Sequence, residues 1–233
     1  LGRAPRWRAD LTAGALAGTA IAVKPYAALL VLYFLVTLRW RGVLAAIAAL
    51  ALCLAVPSVF YGITGNLDQL REWASSLSDS TPSLLTNVDN VSVLAFFTKW
   101  LGDPDRAVQP TLIALGTLAA LTFALIVAGW RRRDAFVLEG ALILTLIPLI
   151  SPLGWDYTFL MALLGVALIV NNRVMFARPV QWLLAANFAI IALALYDTMG
   201  RTIYGAFMRW SVTTINFVLV ILALAYLRMR QTD

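Results

Sequence analysis

The chain has 233 residues, 61% hydrophobic and 13% charged, with a mean hydropathy of +0.83; soluble domains sit near about 45–50% and about 25%, so the composition points to lipid and excludes disorder. There is no His and one Cys, Cys53, which excludes zinc sites built on His or Cys pairs, an internal disulfide, Ser-His-Asp and Cys-His triads and a His general base. The net charge of +6 comes from 18 Lys and Arg against 12 Asp and Glu, and in so apolar a chain it is read by position before it is read as affinity for nucleic acid.

The chain opens on Leu1 with LGRAPRWRAD. It shows no signal-peptide pattern, and it reads as starting in mid-protein, as the C-terminal portion of a longer polypeptide. A crossing needs about 20 apolar residues. Six stretches meet or approach that length: 42–60, 107–130, 135–151, 155–171, 180–198 and 211–227. A further one, 11–38, is broken at Lys24-Pro25. Proline removes an amide donor and disfavours helix at the residue before it, so two half-helices of about 13 residues are expected, each rising about 20 Å. One long, tilted, kinked helix is the alternative.

Basic residues settle the threading. If 11–38 dips in and returns, then Arg3, Arg6, Arg8, Arg39, Arg41, Arg131, Arg132, Arg133, Arg173, Arg178, Arg228 and Arg230 share one face, the cytoplasmic one. The other face receives Arg71, Lys99, Arg106, Arg201 and Arg209, with Asp68, Glu72, Asp79, Asp89, Asp103, Asp105, Asp156 and Asp197. The expected fold is therefore an all-α integral membrane protein: a re-entrant half-helix pair plus about six transmembrane helices in a single domain, 1–233. A long external loop, 61–106, carries an amphipathic helix in which Leu67, Leu70, Trp73, Ala74 and Leu77 recur at helical spacing. A polar stretch, Ser78 to Ser92, follows it.

Three places carry candidate chemistry. Lys24 is a cation at a helix break inside an apolar segment, where intramembrane charge is functional by default; it suits a lipid-linked phosphate, or else snorkels or pairs with Glu139 or Asp156. Asn87, Asn90 and Ser92 lie in TNVDNVS, just before an apolar run, and either bind sugar hydroxyls or cap a helix. Ser151, Trp155, Asp156 and Tyr157 lie in ISPLGWDYT, a tight turn between two helices. There the aromatic residues anchor at an interface, and Asp156 caps the next helix or faces a polar cavity. Glu139 is expected to pair with Arg131 to Arg133, Gly14 and Gly18 to serve close helix packing, and Cys53 to be core. No metal cluster and no cofactor are expected.

The ordered set AGALAGTAIAVKPYAALLVLYFLVTLRWRG, DNVSVLAFFTKWLG and SPLGWDYTF resembles glycosyltransferase family 87 of the GT-C superfamily, the polyprenyl-phosphate-dependent mannosyl- and arabinofuranosyltransferases, over roughly residues 10–170. The resemblance implies a GT-C-like fold. It also implies transfer of a sugar from a polyprenyl-phosphate-linked donor to a hydroxyl of a glycan or glycolipid acceptor, at the external face of the cell inner or plasma membrane. It implies donor binding by Lys24, Asn87, Asn90, Ser92, Ser151, Trp155, Asp156 and Tyr157. Members often carry His after Trp-Asp, where this chain has Tyr157 and Thr158. The family's catalytic carboxylate lies in a first external loop with no counterpart here, so no catalytic base is carried over. Two other classes stay open: a polytopic transporter or lipid flippase, since broken helices with a charge at the break also build transporter sites, and a non-catalytic scaffold. A transporter would be expected to repeat its broken hairpin, and only one appears.

Overall fold

The computed structural model describes residues 6–128 and 136–230, with side chains from Trp7 onward. The described residues contain helices and no strand, and they divide into two compact units, 1–81 and 82–233.

In the first unit α1 (Arg6–Val23) stops at Lys24, whose backbone is extended (φ −137°, ψ 106°) ahead of Pro25. A 3-10 turn (Pro25–Ala28) leads into α2 (Leu29–Val36). Leu38, at φ +54°, then swings the chain into α3 (Trp40–Ala55). The register of α1 on α3 shows where the chain has gone. Asp10 pairs with Arg39 at 3.4 Å, Gly14 backs onto Gly42, and Gly18 onto Ala46. The two helices therefore run parallel, and residues 24–38 carry the chain back to the level where α1 begins. One uninterrupted helix would separate residues 10 and 39 by about 40 Å, so the expected return at Lys24-Pro25 is present. A methyl group on Gly14 or Gly18 would run into the carbonyl oxygen of Gly42 or Ala46; small residues here set how closely the helices approach.

Next, α4 (Ser58–Leu85) leaves α3 at 92°. Buried Asn66 secures the bend: its Nδ2 donates to the Leu54 carbonyl and to Ser58 Oγ, both at 2.8 Å. That satisfies a carbonyl in the last turn of α3 which would otherwise lack a donor. Gly62 adopts φ +69°, ψ 172° inside α4, a region open essentially to glycine alone. Leu67, Trp73 and Leu77 are exposed along α4, as are most of the residues around them. The helix runs well beyond the amphipathic segment expected from the sequence. Ser78, Ser80 and Thr81 donate their hydroxyls to the carbonyls of Ala74, Ser76 and Leu77, so a composition that reads as loop continues as helix.

The second unit is built on α7 (Phe136–Ile150), which is almost wholly buried, and α11 (Val212–Arg230), which packs along it. Around them lie α5 (Val93–Leu101) on α6 (Pro104–Ala128), a 3-10 segment (Asp156–Ala162) leading into α8 (Leu163–Asn171), and α9 (Arg178–Leu193). α9 bends through 104° into α10 (Tyr196–Arg209). Phe159 and Phe217 stack with ring centroids 3.9 Å apart.

Of the six expected crossings, α6 and α11 are long and apolar enough alone, and each bent pair, α3 with α4 and α9 with α10, can count as one more. The stretches 135–151 and 155–171 form shorter helices, the second entered through 3-10 geometry. The outer surface is rich in exposed apolar side chains such as Leu44, Leu112 and Trp182. A water-facing domain would bury such patches; a membrane protein turns them to lipid.

Glu139 pairs with an arginine remote in the chain. Arg131 to Arg133 lie outside the described residues, as does Arg3, and the Glu139 carboxylate accepts from Arg228 Nη2 at 2.8 Å, 89 residues away. Both side chains are buried, and Arg228 Nε and Nη1 have no hydrogen-bond partner among the described residues. Arg228 thus belongs to the core rather than to a free basic face. Cys53 is half-buried rather than core.

Candidate functional site

In the first unit Lys24 sits at the break between two helical pieces. Its amide donates to the Ala20 carbonyl at 2.7 Å, closing α1, and its carbonyl accepts from Ala27 N–H at 3.0 Å, opening the 3-10 turn. The side chain is half-buried at this break.

The second unit brings the other two motifs into hydrogen-bond contact. Asn90 is fully buried and completely engaged. Its Nδ2 donates to the carbonyls of Leu84 (3.2 Å) and Pro152 (2.9 Å), and its Oδ1 accepts from Ser92 N–H and Gly154 N–H, both at 3.1 Å. A carboxamide offers two donors and two acceptor lone pairs, and all four are in use. Val91 N–H donates to the Gly154 carbonyl at 2.7 Å. Ser92 Oγ donates to the Pro152 carbonyl (3.0 Å) and accepts from Ala95 N–H (3.1 Å), capping α5. Ser151 is buried, and its Oγ donates to the Leu153 carbonyl at 3.0 Å. A Cβ on Gly154 would stand 3.0 Å from both Ser92 N and the Pro148 carbonyl oxygen, so the two loops meet this closely only over a glycine.

The remaining predicted residues stand on the rim of this clamp. Asn87 accepts from Asp89 N–H at 2.8 Å in an Asx turn and is half-buried. Trp155 is half-buried, while Asp156 and Tyr157 are exposed. Asp156 Oδ1 accepts from Tyr157 N–H at 2.7 Å, and the residue at the N-cap position is Trp155, with no side-chain cap. Capping is therefore achieved by Ser92 but not by Asp156.

One residue that sequence reasoning passed over completes the arrangement. Lys99 Nζ donates to the carbonyls of Val88 (2.6 Å), Asn90 (2.6 Å) and Met208 (2.9 Å). Burial pushes its ammonium down to about 8, with Asp89 pulling the other way. The signal for Lys99 was present: a single cation in the apolar run VLAFFTKWL, in the last turn of its helix.

Beneath the clamp lies an apolar pocket of about 430 Å³, lined by Val93, Phe96, Phe97, Leu118, Thr214 and Leu219, among others. It adjoins the clamp directly. Val93 follows Ser92 in the chain, and Thr214 Oγ1 donates to the Val91 carbonyl at 2.8 Å. Among the described residues no group of acids, Cys or His is placed to hold a metal ion.

The family model of glycosyltransferase family 87 matches residues 1–152, and the chain belongs to that family of membrane glycosyltransferases. The match takes in Lys24, Asn87, Asn90, Ser92 and Ser151 and ends at Pro152, before Trp155, Asp156 and Tyr157. No curated protein and no solved structure matches the chain.

Proposed function

We propose that the protein transfers a sugar, mannose or another hexose or pentose, from a polyprenyl-phosphate donor to a hydroxyl of a glycan or glycolipid, at the external face of the cell membrane. The observation that carries this reading is the continuity of the polar clamp with the apolar pocket through Val93 and Thr214. A donor with a sugar head and an isoprenoid tail needs such a pair of surfaces side by side, whereas a nucleotide sugar has no use for the second.

The exposed rim is the part suited to sugar hydroxyls. Asn87, Asp156 and Tyr157 offer polar groups there, and Trp155 offers an indole face for stacking. Asn90 and Ser92 act one step back, since their polar atoms bond the two loops, and Ser151 bonds within its own turn; all three are proposed to shape the rim. Lys24, at the helix break of the first unit, is proposed by itself as a cation suited to a lipid-linked phosphate.

The test is transfer in membrane vesicles carrying the protein, with one radiolabelled sugar supplied either on polyprenyl phosphate or on a nucleoside diphosphate. Label is expected in the acceptor fraction from the lipid donor alone. Efficient use of the nucleotide sugar would overturn the proposal, and so would donor crossing the bilayer without transfer, which is the behaviour of a flippase.

A further inference from the structure

The clamp bonds the loop 87–92 to the turn 151–154, yet nothing in it accounts for α10. Lys99 does. Its three N–H groups reach three carbonyls: two in the loop, at Val88 and Asn90, and one at Met208 in the last turn of α10. The Met208 carbonyl also accepts from Ser211 N–H at 3.0 Å, and a cation at this end of α10 meets the negative end of the helix dipole. Trp100, the next residue, repeats the connection. Its Nε1 donates to the Trp210 carbonyl at 3.2 Å, and the two indoles meet edge to face at 5.4 Å.

We propose that Lys99 is a positioning residue of the glycosyltransferase site: it latches α10 onto the 87–92 loop and so fixes the loop that presents Asn87 at the rim. The proposal rests on the reading that this rim handles the sugar. Lys99 itself is turned to carbonyls and does not touch substrate. A methionine of similar length would keep the packing and lose all three bonds, while an arginine keeps a charged donor set.

The experiment compares Lys99→Met and Lys99→Arg in the intact protein in lipid nanodiscs. Hydrogen exchange of the peptides covering 87–92 and 203–209 is read beside that covering 138–149 in α7, and transfer kinetics are read on the same samples. For Lys99→Met, exchange in the first two peptides is expected to rise at least tenfold with 138–149 unchanged. kcat is expected to fall at least tenfold, with KM for the donor within about twofold, and Lys99→Arg to restore both readings to within about threefold. Unchanged exchange in Lys99→Met would overturn the latch. Loss of protection spreading to 138–149, a variant that fails to fold, or Met and Arg behaving alike would also overturn it, by making Lys99 a general stabiliser. Failure of sugar transfer in the wild type would sink the functional reading alone, since the exchange result decides the latch without it.

Discussion

Glu139→Ala is expected to destabilise the second unit by about 3–5 kcal/mol, the range for removing one partner of a buried ion pair. The carboxylate accepts from Arg228 at 2.8 Å where neither side chain meets solvent. Without it, Arg228 keeps its charge, because a guanidinium does not deprotonate in a protein, and two of its nitrogens already lack partners among the described residues. An uncompensated buried cation is what the variant leaves behind. Arg228→Met should be nearly as harmful for the mirror reason, but less so, since a carboxyl can escape its charge by taking up a proton. The double variant Glu139→Ala with Arg228→Met should recover much of the loss, because replacing a buried pair by apolar groups is often close to neutral. Unfolding in detergent of the four proteins checks this. Losses that simply add would mean that the two side chains act independently.

Asn90→Ala carries the second large effect, and it falls on stability and activity together. Four hydrogen bonds of a fully buried carboxamide disappear at once. A net contribution of about 0.5–1.5 kcal/mol per bond, with buried groups left unpaired, puts the loss at about 3 kcal/mol. The loops 87–92 and 151–154 are then joined by the Val91–Gly154 and Ser92–Pro152 bonds alone. Asn90→Asp separates shape from bonding. It has the same outline, but it loses the two N–H donors and turns a carboxylate oxygen toward the carbonyls of Leu84 and Pro152. Transfer should drop at least tenfold in both variants, with Asn90→Asp no better than Asn90→Ala. Retention of full activity in Asn90→Asp would show that the clamp does not set the rim.

What the sequence discloses depends on whether the cause is local. The break at Lys24-Pro25 is legible because proline acts on the residue before it, and the Ser92 cap because its partner amide is three residues on. The close approach at Gly14 and Gly18 is legible from spacing alone. The length of α4 is not, because hydroxyls that suit a loop bond just as well to carbonyls four residues back. Partners remote in the chain are the least legible. Glu139 with Arg228, Lys99 with Met208 and Asn90 with Pro152 are set by how helices pack, and local spacing offers nearer candidates first. That is why Asn90 reads as a sugar ligand in the sequence and proves fully engaged in holding two loops together.

The proposed reaction requires a lipid donor seated against the clamp. Photolabelling with a short polyprenyl phosphate bearing a diazirine on its first isoprene units asks this directly. The expected result is label in the peptides that hold Phe96, Phe97 and Leu219, suppressed by unmodified polyprenyl phosphate and untouched by a nucleotide sugar. Label confined to other helices, or label that the unmodified lipid fails to displace, would contradict it.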